Sequence, residues 1–511
     1  MRKQSNEVAI GAFTTKKVFA GAIGEALGEQ GKNMRNEWTM SRLTWVIFLL
    51  CSPLFVLAAA PASPNVLLIV SDDQGYGDFG FNGNKLVRTP VLDRLSGESA
   101  MFRNFAAAAA CSPTRAALWT GRDHLLTGVW GVGARAGLRP DEARMPAFFK
   151  ADGYSTFHVG KLDSVKVGKD GPSTFGWDEW LGGGGYEHHD PLLYGSKGNG
   201  HAEGWTAELW TDRAVAFIRE HRGRPWFASV AFIIPHMPWV CDEKYSAPFL
   251  AQGCSASLAS CYGSIAQMDG CIGRLLDTLR ETGQADNTVV VFFSDNGQTG
   301  PEAKQADADG FVQGVDWEKR NVAHLRGHKA TVWENGIRVP FLVRWPGRIA
   351  AGERRQFGCV EDILPTLLDL AHVRSEALPH LPFTGVSLAP TLKDAAVIFE
   401  RPDVLRMAIS GAGSPRGDDT GPKSTRLEDL HLALRGPQYK YHALPQGKCA
   451  LYDLTADPGE TKDVQATYPD VTARMARSCR ARWDAILGSG RAFAMQMGNT
   501  ERVRGKRQDA E

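Results

Sequence analysis

The chain has 511 residues, and its 58 lysines and arginines almost balance its 57 aspartates and glutamates. A net charge this close to zero gives no bulk electrostatic reason to expect a nucleic-acid or membrane-surface binder. The length allows a large core and about two domains. The nine cysteines show no C-x-x-C pair with zinc-site spacing, but the four between 241 and 271 could carry one or two disulfides in an exported protein.

The first 62 residues have the features of a leader and a targeting segment. Residues 1–39 are polar and without periodicity, which indicates an unstructured leader or a true start at Met34 or Met40. Residues 40–62 join a positive charge, an apolar core and small terminal residues, which is typical of a secretory signal peptide. The apolar run is short of the roughly 20 residues that a membrane span needs, with a retained anchor as the alternative. We therefore expect an exported protein, periplasmic or extracellular, without a membrane anchor after cleavage.

Residues 63–375 alternate apolar runs of strand length with amphipathic segments. The predicted buried strands begin near Asn65, Tyr154, Trp226, Asn287 and Ile337. The predicted helices begin at Pro90 and Cys111 and cover 145–152, 207–221 and 263–282. Residues 181–206 show no clear pattern and are predicted as a long surface loop. The alternation predicts an α/β domain with a large, mostly parallel sheet that helices cover on both faces.

Residues 376–511 have a different pattern. Loops with proline and glycine alternate with short predicted strands at 430–435 and 438–443, before a predicted helix over 468–487. This order predicts a smaller C-terminal α+β subdomain built on an antiparallel sheet. The charged residues after the helix are expected to fray.

Polar side chains stand where the predicted buried strands end. The residues at these ends are Asp72, Asp73, Lys161, His236, Asp295 and Asn296. Sites of open α/β sheets gather beyond the carboxyl ends of the strands, so these side chains are expected to meet. Three carboxylates and an amide oxygen suit Ca²⁺ or Mg²⁺, and ordinary turns are the alternative interpretation.

The segment 106–122, AAAAACSPTRAALWTGR, places Cys111 at or just before a helix N-terminus. Backbone N–H groups and the helix dipole favour negative charge there. Pro113 suits the first helical turn, and Arg115 would follow Cys111 on the same face. A structural cysteine that only begins a helix is the alternative.

Three cations and one histidine complete the candidate chemistry. Arg115, Lys161 and Lys329 would suit a tetrahedral oxyanion such as sulfate or phosphate, although a single lysine is more often an ordinary surface residue. His236, in Pro-His-Met-Pro, is a candidate general acid for a leaving alkoxide. A satisfied buried histidine is the alternative.

These motifs together resemble the sulfatase family, a branch of the alkaline-phosphatase-like superfamily. The segment CSPTRAALWTGR, from Cys111, is similar to the family's C-x-P-x-R signature. Similar blocks follow the family's order: PNVLLIVSDDQGYGD from Pro64, TPVLDRL from Thr89, GYSTFHVGK from Gly153, PHMP from Pro235, VVVFFSDNG from Val289, GHKATVWENGIRVPFLVRWPG from Gly327 and LYDLTADPGE from Leu451. Single blocks are weak signals, but an ordered set across 64–465 is specific.

The resemblance implies the superfamily's fold and a sulfatase whose Cys111 becomes formylglycine through a formylglycine-generating enzyme. It implies a Ca²⁺, in preference to Mg²⁺, held by Asp72, Asp73, Asp295, Asn296 and the modified Cys111. Arg115 would steady the formylglycine. Lys161 and Lys329 would bind sulfate oxygens, and His236 would protonate the leaving alcohol. The hydrated aldehyde would attack sulfur, and its second hydroxyl would then expel sulfate.

One position departs from the family pattern. The family usually has a histidine two residues after the site lysine, whereas Lys161 is followed by Leu162 and Asp163. That histidine is credited with contacting the formylglycine hydroxyl, so Asp163 is a candidate replacement base. His158 lies nearby, but its place inside a predicted strand favours a role in the core.

The expected substrate is a sulfated carbohydrate or another sulfated small molecule. His188, His189 and Trp205 in the 181–206 segment are expected to shape the leaving-group pocket. Two alternatives stay open at this point. One is a phosphonate monoester or phosphodiester hydrolase with the same site, and the other is a weakly active carbohydrate-binding relative, which Asp163 motivates.

Overall fold

The computed structural model describes residues 63–132, 137–161, 163, 171–183, 185–300, 317–374, 376, 378–409 and 424–490. The predicted leader over 1–39, the predicted signal peptide over 40–62 and the charged tail lie outside these ranges. The described residues between 63 and 490 belong to one compact unit. No helix in the described ranges combines the length and hydropathy that a membrane crossing requires.

The described strands run as follows: β1 Asn65–Ser71, β2 Ala100–Phe102, β3 Phe105–Ala106, β4 Ser155–Gly160, β5 Glu179–Gly183, β6 Leu192–Gly195, β7 Gly198–His201, β8 Trp226–Ala231, β9 Thr288–Ser294, β10 Phe341–Arg344, β11 Gly352–Arg354, β12 Gly358–Cys359, β13 Val404–Met407, β14 Leu432–Arg435, β15 Tyr439–Ala443 and β16 Cys449–Asp453. Ten of them form one sheet in the order β11-β2-β10-β9-β1-β8-β4-β5-β6-β7. The five central strands from β9 to β5 are parallel to one another. Antiparallel pairs occur on both sides of this centre, so the sheet is mixed but mostly parallel, as predicted.

The described α-helices are α1 Pro90–Gly97, α2 Cys111–Thr120, α3 His124–Thr127, α4 Met145–Ala151, α5 Thr206–Glu220, α6 Glu243–Leu250, α7 Ala256–Glu281, α8 Trp317–Arg320, α9 Glu334–Ile337, α10 Ile363–Ala371, α11 Ala389–Lys393 and α12 Pro469–Gly488. The predicted helices at Pro90, Cys111, 145–152 and 207–221 are confirmed within two residues. The helix predicted over 263–282 begins earlier, because Ser255 caps it by accepting a hydrogen bond from the Leu258 N–H at 3.1 Å.

Strand β1 shows why the sheet is covered on both faces. Its side chains alternate between two separate hydrophobic clusters, with Val66, Leu68 and Val70 in one. Leu67 and Ile69 belong to the other. Successive side chains of a strand point to opposite faces, and all seven residues of β1 are buried. A continuous apolar run is therefore the pattern that a strand between two helical layers requires.

The prediction of a surface loop over 181–206 is wrong. The segment contains the end of β5 and the antiparallel strands β6 and β7, which extend one side of the sheet. Strand β7, GNGH, is exposed along its whole length, and β6 is only partly buried. Outer strands with glycine and little burial lack the apolar alternation by which strands are recognised.

The C-terminal strands form a separate antiparallel sheet in the order β13-β14-β15-β16, as predicted for this region. Helix α12 packs against it through Met475, Cys479 and Trp483, and Trp130 joins this cluster with its ring centroid 5.3 Å from that of Trp483. In the cysteine-rich 241–271 segment, Cys241 and Cys271 are free thiols, so the disulfides considered for this group do not involve them.

Candidate active site

The carboxyl ends of β1, β4, β8 and β9 meet at one edge of the sheet. Backbone hydrogen bonds tie the segments that leave these strands: the Asp72 N–H donates to the Ile234 carbonyl at 3.0 Å, and the Asp295 N–H donates to the Ser71 carbonyl at 3.1 Å. The Lys161 N–H donates to the Ala231 carbonyl at 2.8 Å. The strand-end residues predicted from the sequence are therefore brought together.

Two glycines let the backbone pack closely here. Gly160 has a φ of +114°, and a Cβ at this position would lie 2.0 Å from the Ala231 carbonyl oxygen. A Cβ on Gly297 would lie 1.7 Å from the Asn335 carbonyl oxygen. Only glycine fits at either position, since real Cβ atoms do not approach backbone oxygens so closely.

Cys111 is the first residue of α2, as predicted, and the extended residue Ala110 precedes it. The Ala330 N–H donates to the Ala109 carbonyl at 2.7 Å, which fastens the loop of Lys329 beside this helix start. The Cys111 Sγ atom and one carboxylate oxygen of each of Asp72 and Asp295 lie within 4.8 Å of one another. Burial and the neighbouring Asp163 raise the pKa of the Cys111 thiol, so the unmodified side chain is a protonated and weak nucleophile.

The carboxylates are held by charged and polar donors. Arg115 donates from Nε and Nη2 to Asp295 Oδ2 at 3.0 and 2.8 Å. Lys161 Nζ lies 2.5 Å from Asp72 Oδ2. Asp73 has a φ of +62°, which is uncommon for a non-glycine residue and is a feature of functional sites.

Three side chains donate hydrogen bonds to the Asp73 carboxylate. Lys329 Nζ lies 2.7 Å from its carboxylate, Asn296 Nδ2 donates to Oδ1 at 2.8 Å, and the Thr299 hydroxyl donates to Oδ2 at 3.2 Å. By contrast, Asp72 Oδ1 and Asn296 Oδ1 are buried oxygens without a hydrogen-bond partner in the described part of the chain. Buried polar atoms of this kind indicate a missing partner.

Two of the three carboxylates that end the strands have a raised pKa. Burial raises the pKa of Asp72, and burial together with Asp72 raises the pKa of Asp295 to about 7. The pKa of Asp73 is lowered, because Lys329 and His236 outweigh the effect of its burial. Hard oxygen donors that include partnerless oxygens and desolvated carboxylates fit a divalent cation such as Ca²⁺.

Asp163 stands where the sequence departs from the family pattern. Its Oδ2 lies 3.3 Å from Lys161 Nζ, and its carboxylate is a hydrogen-bond partner of the Cys111 thiol. Lys161 and Arg115 outweigh burial and lower the Asp163 pKa to about 2, so the group is a carboxylate at neutral pH. Its side chain is 25% exposed, whereas Asp72 is fully buried, so Asp163 lies nearer to solvent. The partly exposed side chains of Asp163, His236 and Lys329 mark the solvent-facing side of the cluster, which we call the opening.

His236 faces the same opening, with a side chain that is 18% exposed. Its Nδ1 lies 2.6 Å from the Met237 carbonyl oxygen, and its Nε2 lies 3.7 Å from Asp73 Oδ2. Burial and Lys329 lower its pKa to about 4. His158, in contrast, is fully buried and packs against Trp119 and Trp177, which confirms the expected core role.

Of the three pocket residues expected in 181–206, His188 is buried beside His236. His189 and Trp205 pack edge to face with ring centroids 4.7 Å apart. Sequence reasoning missed Tyr186, whose ring stacks on His236 at 3.8 Å. It also missed Thr299, although a hydroxyl three residues after Asn296 in a strand-end loop was a usable signal.

The family model described as Sulfatase matches residues 64–373. The chain is 31% identical over 408 residues to N-acetylgalactosamine-6-sulfatase of Mus musculus, covering 71% of this chain and 74% of that protein. It is 30% identical over 445 residues to Arylsulfatase A of Bos taurus, covering 78% of each.

Solved structures share the fold. The structure of Ps i-CgsB in complex with k-i-k-neocarrahexaose is similar with a TM-score of 0.70 at 24% identity, over 82% of this chain and 93% of that chain. Phosphonate monoester hydrolase of Agrobacterium radiobacter is similar with a TM-score of 0.57 at 22% identity, over 82% of this chain and 96% of that chain.

The mixed ten-stranded sheet and the match to the sulfatase family model place the chain among the alkaline-phosphatase-like hydrolases. Within that superfamily, the chain belongs to the sulfatase family.

Proposed function

We propose that this chain hydrolyses the sulfate ester of a carbohydrate, with formylglycine made from Cys111 and a bound Ca²⁺. The observation that carries the proposal is the start of α2, where Cys111 lies against Asp72 and Asp295 in a buried, cation-lined cluster. The carbohydrate is suggested by relatives such as N-acetylgalactosamine-6-sulfatase. The chain would reach its substrate outside the cytoplasm, after removal of the signal peptide predicted over 40–62.

The residues of the strand-end cluster fit both a formylglycine at position 111 and a bound Ca²⁺. Formylglycine at position 111 would supply an oxygen nucleophile that the protonated thiol does not offer. The residues expected to hold Ca²⁺ are Asp72, Asp73, Asp295, Asn296 and the modified Cys111. The cation would neutralise these oxygens and polarise a sulfate oxygen.

Charge counting supports a monoanionic ester as the substrate. Four carboxylates, from Asp72, Asp73, Asp163 and Asp295, face three cations, from Arg115, Lys161 and Lys329. With all four carboxylates ionised, the cluster carries one excess negative charge, which a divalent cation would convert into one excess positive charge. A sulfate monoester carries one negative charge and would bring the total to zero, as would a phosphodiester or a phosphonate monoester, so the count disfavours only a dianionic substrate.

Lys161 and Lys329 would bind and orient the sulfate group. Both ammonium groups lie beside the carboxylates and near Cys111, and the carboxylates raise the pKa of each lysine despite burial. The side chain of Lys329 is 19% exposed, so it can contact a ligand that enters from the opening. Arg115 is fully buried and donates two hydrogen bonds to Asp295, so its role would be to hold this carboxylate in place.

His236 would donate a proton to the leaving alcohol. In the protonated imidazolium, Nδ1–H would donate to the Met237 carbonyl, and Nε2–H, which faces Asp73 and the opening, would carry the proton for the leaving alcohol. Burial and Lys329 lower the pKa of His236 to about 4, so this charged form would be favoured by Asp73 and by the negative charge of the bound ester. Proton transfer from a positioned side chain accelerates such steps by about 10²–10⁴-fold. Asp163 would accept a proton from a hydroxyl at position 111, since its carboxylate already contacts that side chain.

Mass spectrometry of the peptide over 103–115 tests the modification. Conversion of the Cys111 side chain from CH₂SH to CHO removes about 18 Da. The protein should be analysed after co-production with a formylglycine-generating enzyme, and Cys111→Ala should lose turnover by at least about 10³-fold. An unmodified thiol in active protein would refute the mechanism.

Paired substrates test the reaction class. The matured protein should cleave 4-nitrophenyl sulfate faster than an aryl phosphodiester or aryl phosphonate. Rates that favour the phosphorus substrates by orders of magnitude would assign the site to that chemistry instead. Turnover of neither class by protein with full conversion at Cys111 would favour a weakly active carbohydrate-binding protein.

A further inference from the structure

The loop that joins β5 to β6 reaches over the proposed general acid. Tyr186 in this loop lays its ring flat on the His236 imidazole, with centroids 3.8 Å apart and 7° between the planes. The Lys161 ammonium lies 4.9 Å from the centroid of the same ring. One aromatic side chain therefore contacts both a proposed sulfate-binding residue and the proposed proton donor.

The His236 ring needs such a contact to keep its direction. Among the described residues, its ring makes one hydrogen bond, from Nδ1 to the carbonyl of the adjacent Met237. One bond fixes one ring atom but leaves the ring plane free to tilt about it. A parallel stacked ring restricts that tilt, and aromatic pairs at such separations are stabilising. Nε2 also lies 3.7 Å from Asp73 Oδ2, which is beyond hydrogen-bond distance, so the direction of Nε2 depends on Tyr186.

The loop that carries Tyr186 is itself held firmly. The Thr206 N–H donates to the His188 carbonyl at 2.9 Å, and the Thr206 hydroxyl donates to the Glu187 carbonyl at 2.6 Å. The Leu192 N–H donates to the Glu187 carboxylate at 2.7 Å. The His188 side chain is a hydrogen-bond partner of the His236 backbone. The loop is thus fixed to the start of α5 and to the segment of the general acid.

We infer that Tyr186 is a positioning residue for His236, which aims the imidazole Nε2 at the leaving oxygen of the substrate. The inference rests on the proposed function, in which His236 protonates the leaving alcohol. It assigns a catalytic purpose to the outer hairpin β5–β6, whose sequence shows no motif. The aromatic ring provides the contact, and the Tyr186 hydroxyl is not required for it.

The dependence of rate on leaving-group acidity tests this role. A proton donor matters little when the leaving phenol is acidic and matters greatly when it is a weak acid. We would measure kcat/KM for matured protein with a series of phenyl sulfates of similar size, from 4-nitrophenyl to 4-methoxyphenyl sulfate. A structural or general binding role would lower all members of this series by the same factor.

Tyr186→Leu removes the stacking ring. We expect kcat/KM to fall about 10–100-fold for 4-methoxyphenyl sulfate and by less than about 3-fold for 4-nitrophenyl sulfate. The loss should lie in kcat and not in KM. Tyr186→Phe keeps the ring and should match the wild type. An equal loss across the series, or a Phe variant as impaired as the Leu variant, would overturn the inference.

Three further variants complete the test. Tyr194→Leu makes the same change within strand β6 of this hairpin and should leave the leaving-group dependence unchanged; a steeper dependence in this variant would overturn the inference. If Tyr186→Leu fails to fold, Tyr186→Met takes its place with the same expectations. His236→Ala tests the proposed proton donor separately from Tyr186. If His236→Ala lowers kcat/KM by the same factor for every phenyl sulfate, His236 is not the proton donor, and the role of Tyr186 is overturned with it. If the loss in His236→Ala grows as the leaving phenol becomes less acidic but the loss in Tyr186→Leu does not, only the inference about Tyr186 is overturned.

Discussion

Two buried groups of charged side chains differ in how completely they are paired. The closed cluster joins α9 to the C-terminal sheet and consists of Glu334, Arg435, Lys440, Glu460 and His442. Arg435 donates to both Glu334 oxygens at 2.9 Å, and Lys440 lies 3.0 Å from both Glu334 and Glu460. His442 Nε2 lies 2.8 Å from Glu460 Oε1. Each carboxylate in this cluster has its partners.

The strand-end cluster, formed by Asp72, Asp73, Asp295, Arg115, Lys161 and Lys329, is incomplete by the same standard. Asp72 Oδ1 has no hydrogen-bond partner among the residues that the structure describes. Each cluster holds a carboxylate whose pKa burial raises, Glu460 or Asp295, and a carboxylate whose pKa neighbouring cations lower, Glu334 or Asp73. The unpartnered oxygens therefore distinguish the two clusters: similar residue types at similar depth give a fully paired structural joint in one place and a site with unpaired oxygens in the other.

Removal of one charge from the closed cluster should have the largest effect on stability. Glu334→Gln keeps the side-chain shape but leaves Arg435 and Lys440 buried with one carboxylate fewer. We expect the free energy of unfolding in urea to fall by about 3–5 kcal/mol, because an uncompensated buried charge is costly.

Glu281→Gln is the matched control for this change. Glu281 pairs with Arg219 on the surface, where both side chains are more than half exposed. The control should change stability by less than about 1 kcal/mol. A loss for Glu334→Gln as small as this would show that the closed cluster is not a structural joint.

Calcium should stabilise the protein through the strand-end cluster alone. At about 100 times its Kd, Ca²⁺ would add about 2.7 kcal/mol to the free energy of unfolding. Differential scanning fluorimetry of chelator-treated protein should show a higher Tm when Ca²⁺ is restored. Asp295→Asn should abolish this increase, whereas Glu334→Gln should retain it from a lower starting Tm. An equal Ca²⁺ response in the Asp295 variant would place the ion elsewhere.

The difference between the clusters also explains what the sequence could predict. Asp72, Lys161 and Asp295 follow apolar runs that form parallel strands, and parallel strands end at one edge of a sheet. Their meeting was therefore predictable from hydrophobic pattern and strand order. The family resemblance then supplied the expected roles, including that of Cys111.

The closed cluster and Tyr186 could not be found in this way. Glu334 and Glu460 are 126 residues apart, and the pairing depends on how the C-terminal sheet docks on the α9 segment. Tyr186 lies in a glycine-rich segment whose strands are partly or fully exposed and carry no alternation. Contacts that tertiary packing alone creates leave no periodic signal in the chain.

Lowering the pH should weaken the closed cluster by protonating Glu334. This is the smallest of the three effects that we expect on the free energy of unfolding. The folded pKa of Glu334 lies below its usual value of 4.5, so its contribution to stability is present above pH 4.5 and is lost as pH falls toward the folded pKa. Between pH 6 and pH 3 the stability difference between wild type and Glu334→Gln should shrink by about 1–2 kcal/mol. Urea unfolding of both proteins at each pH measures this difference, and Glu281→Gln again serves as the control. Since all other titrating groups are shared by the two proteins, a difference that stays constant with pH would mean that Glu334 is not held as a carboxylate by Arg435 and Lys440.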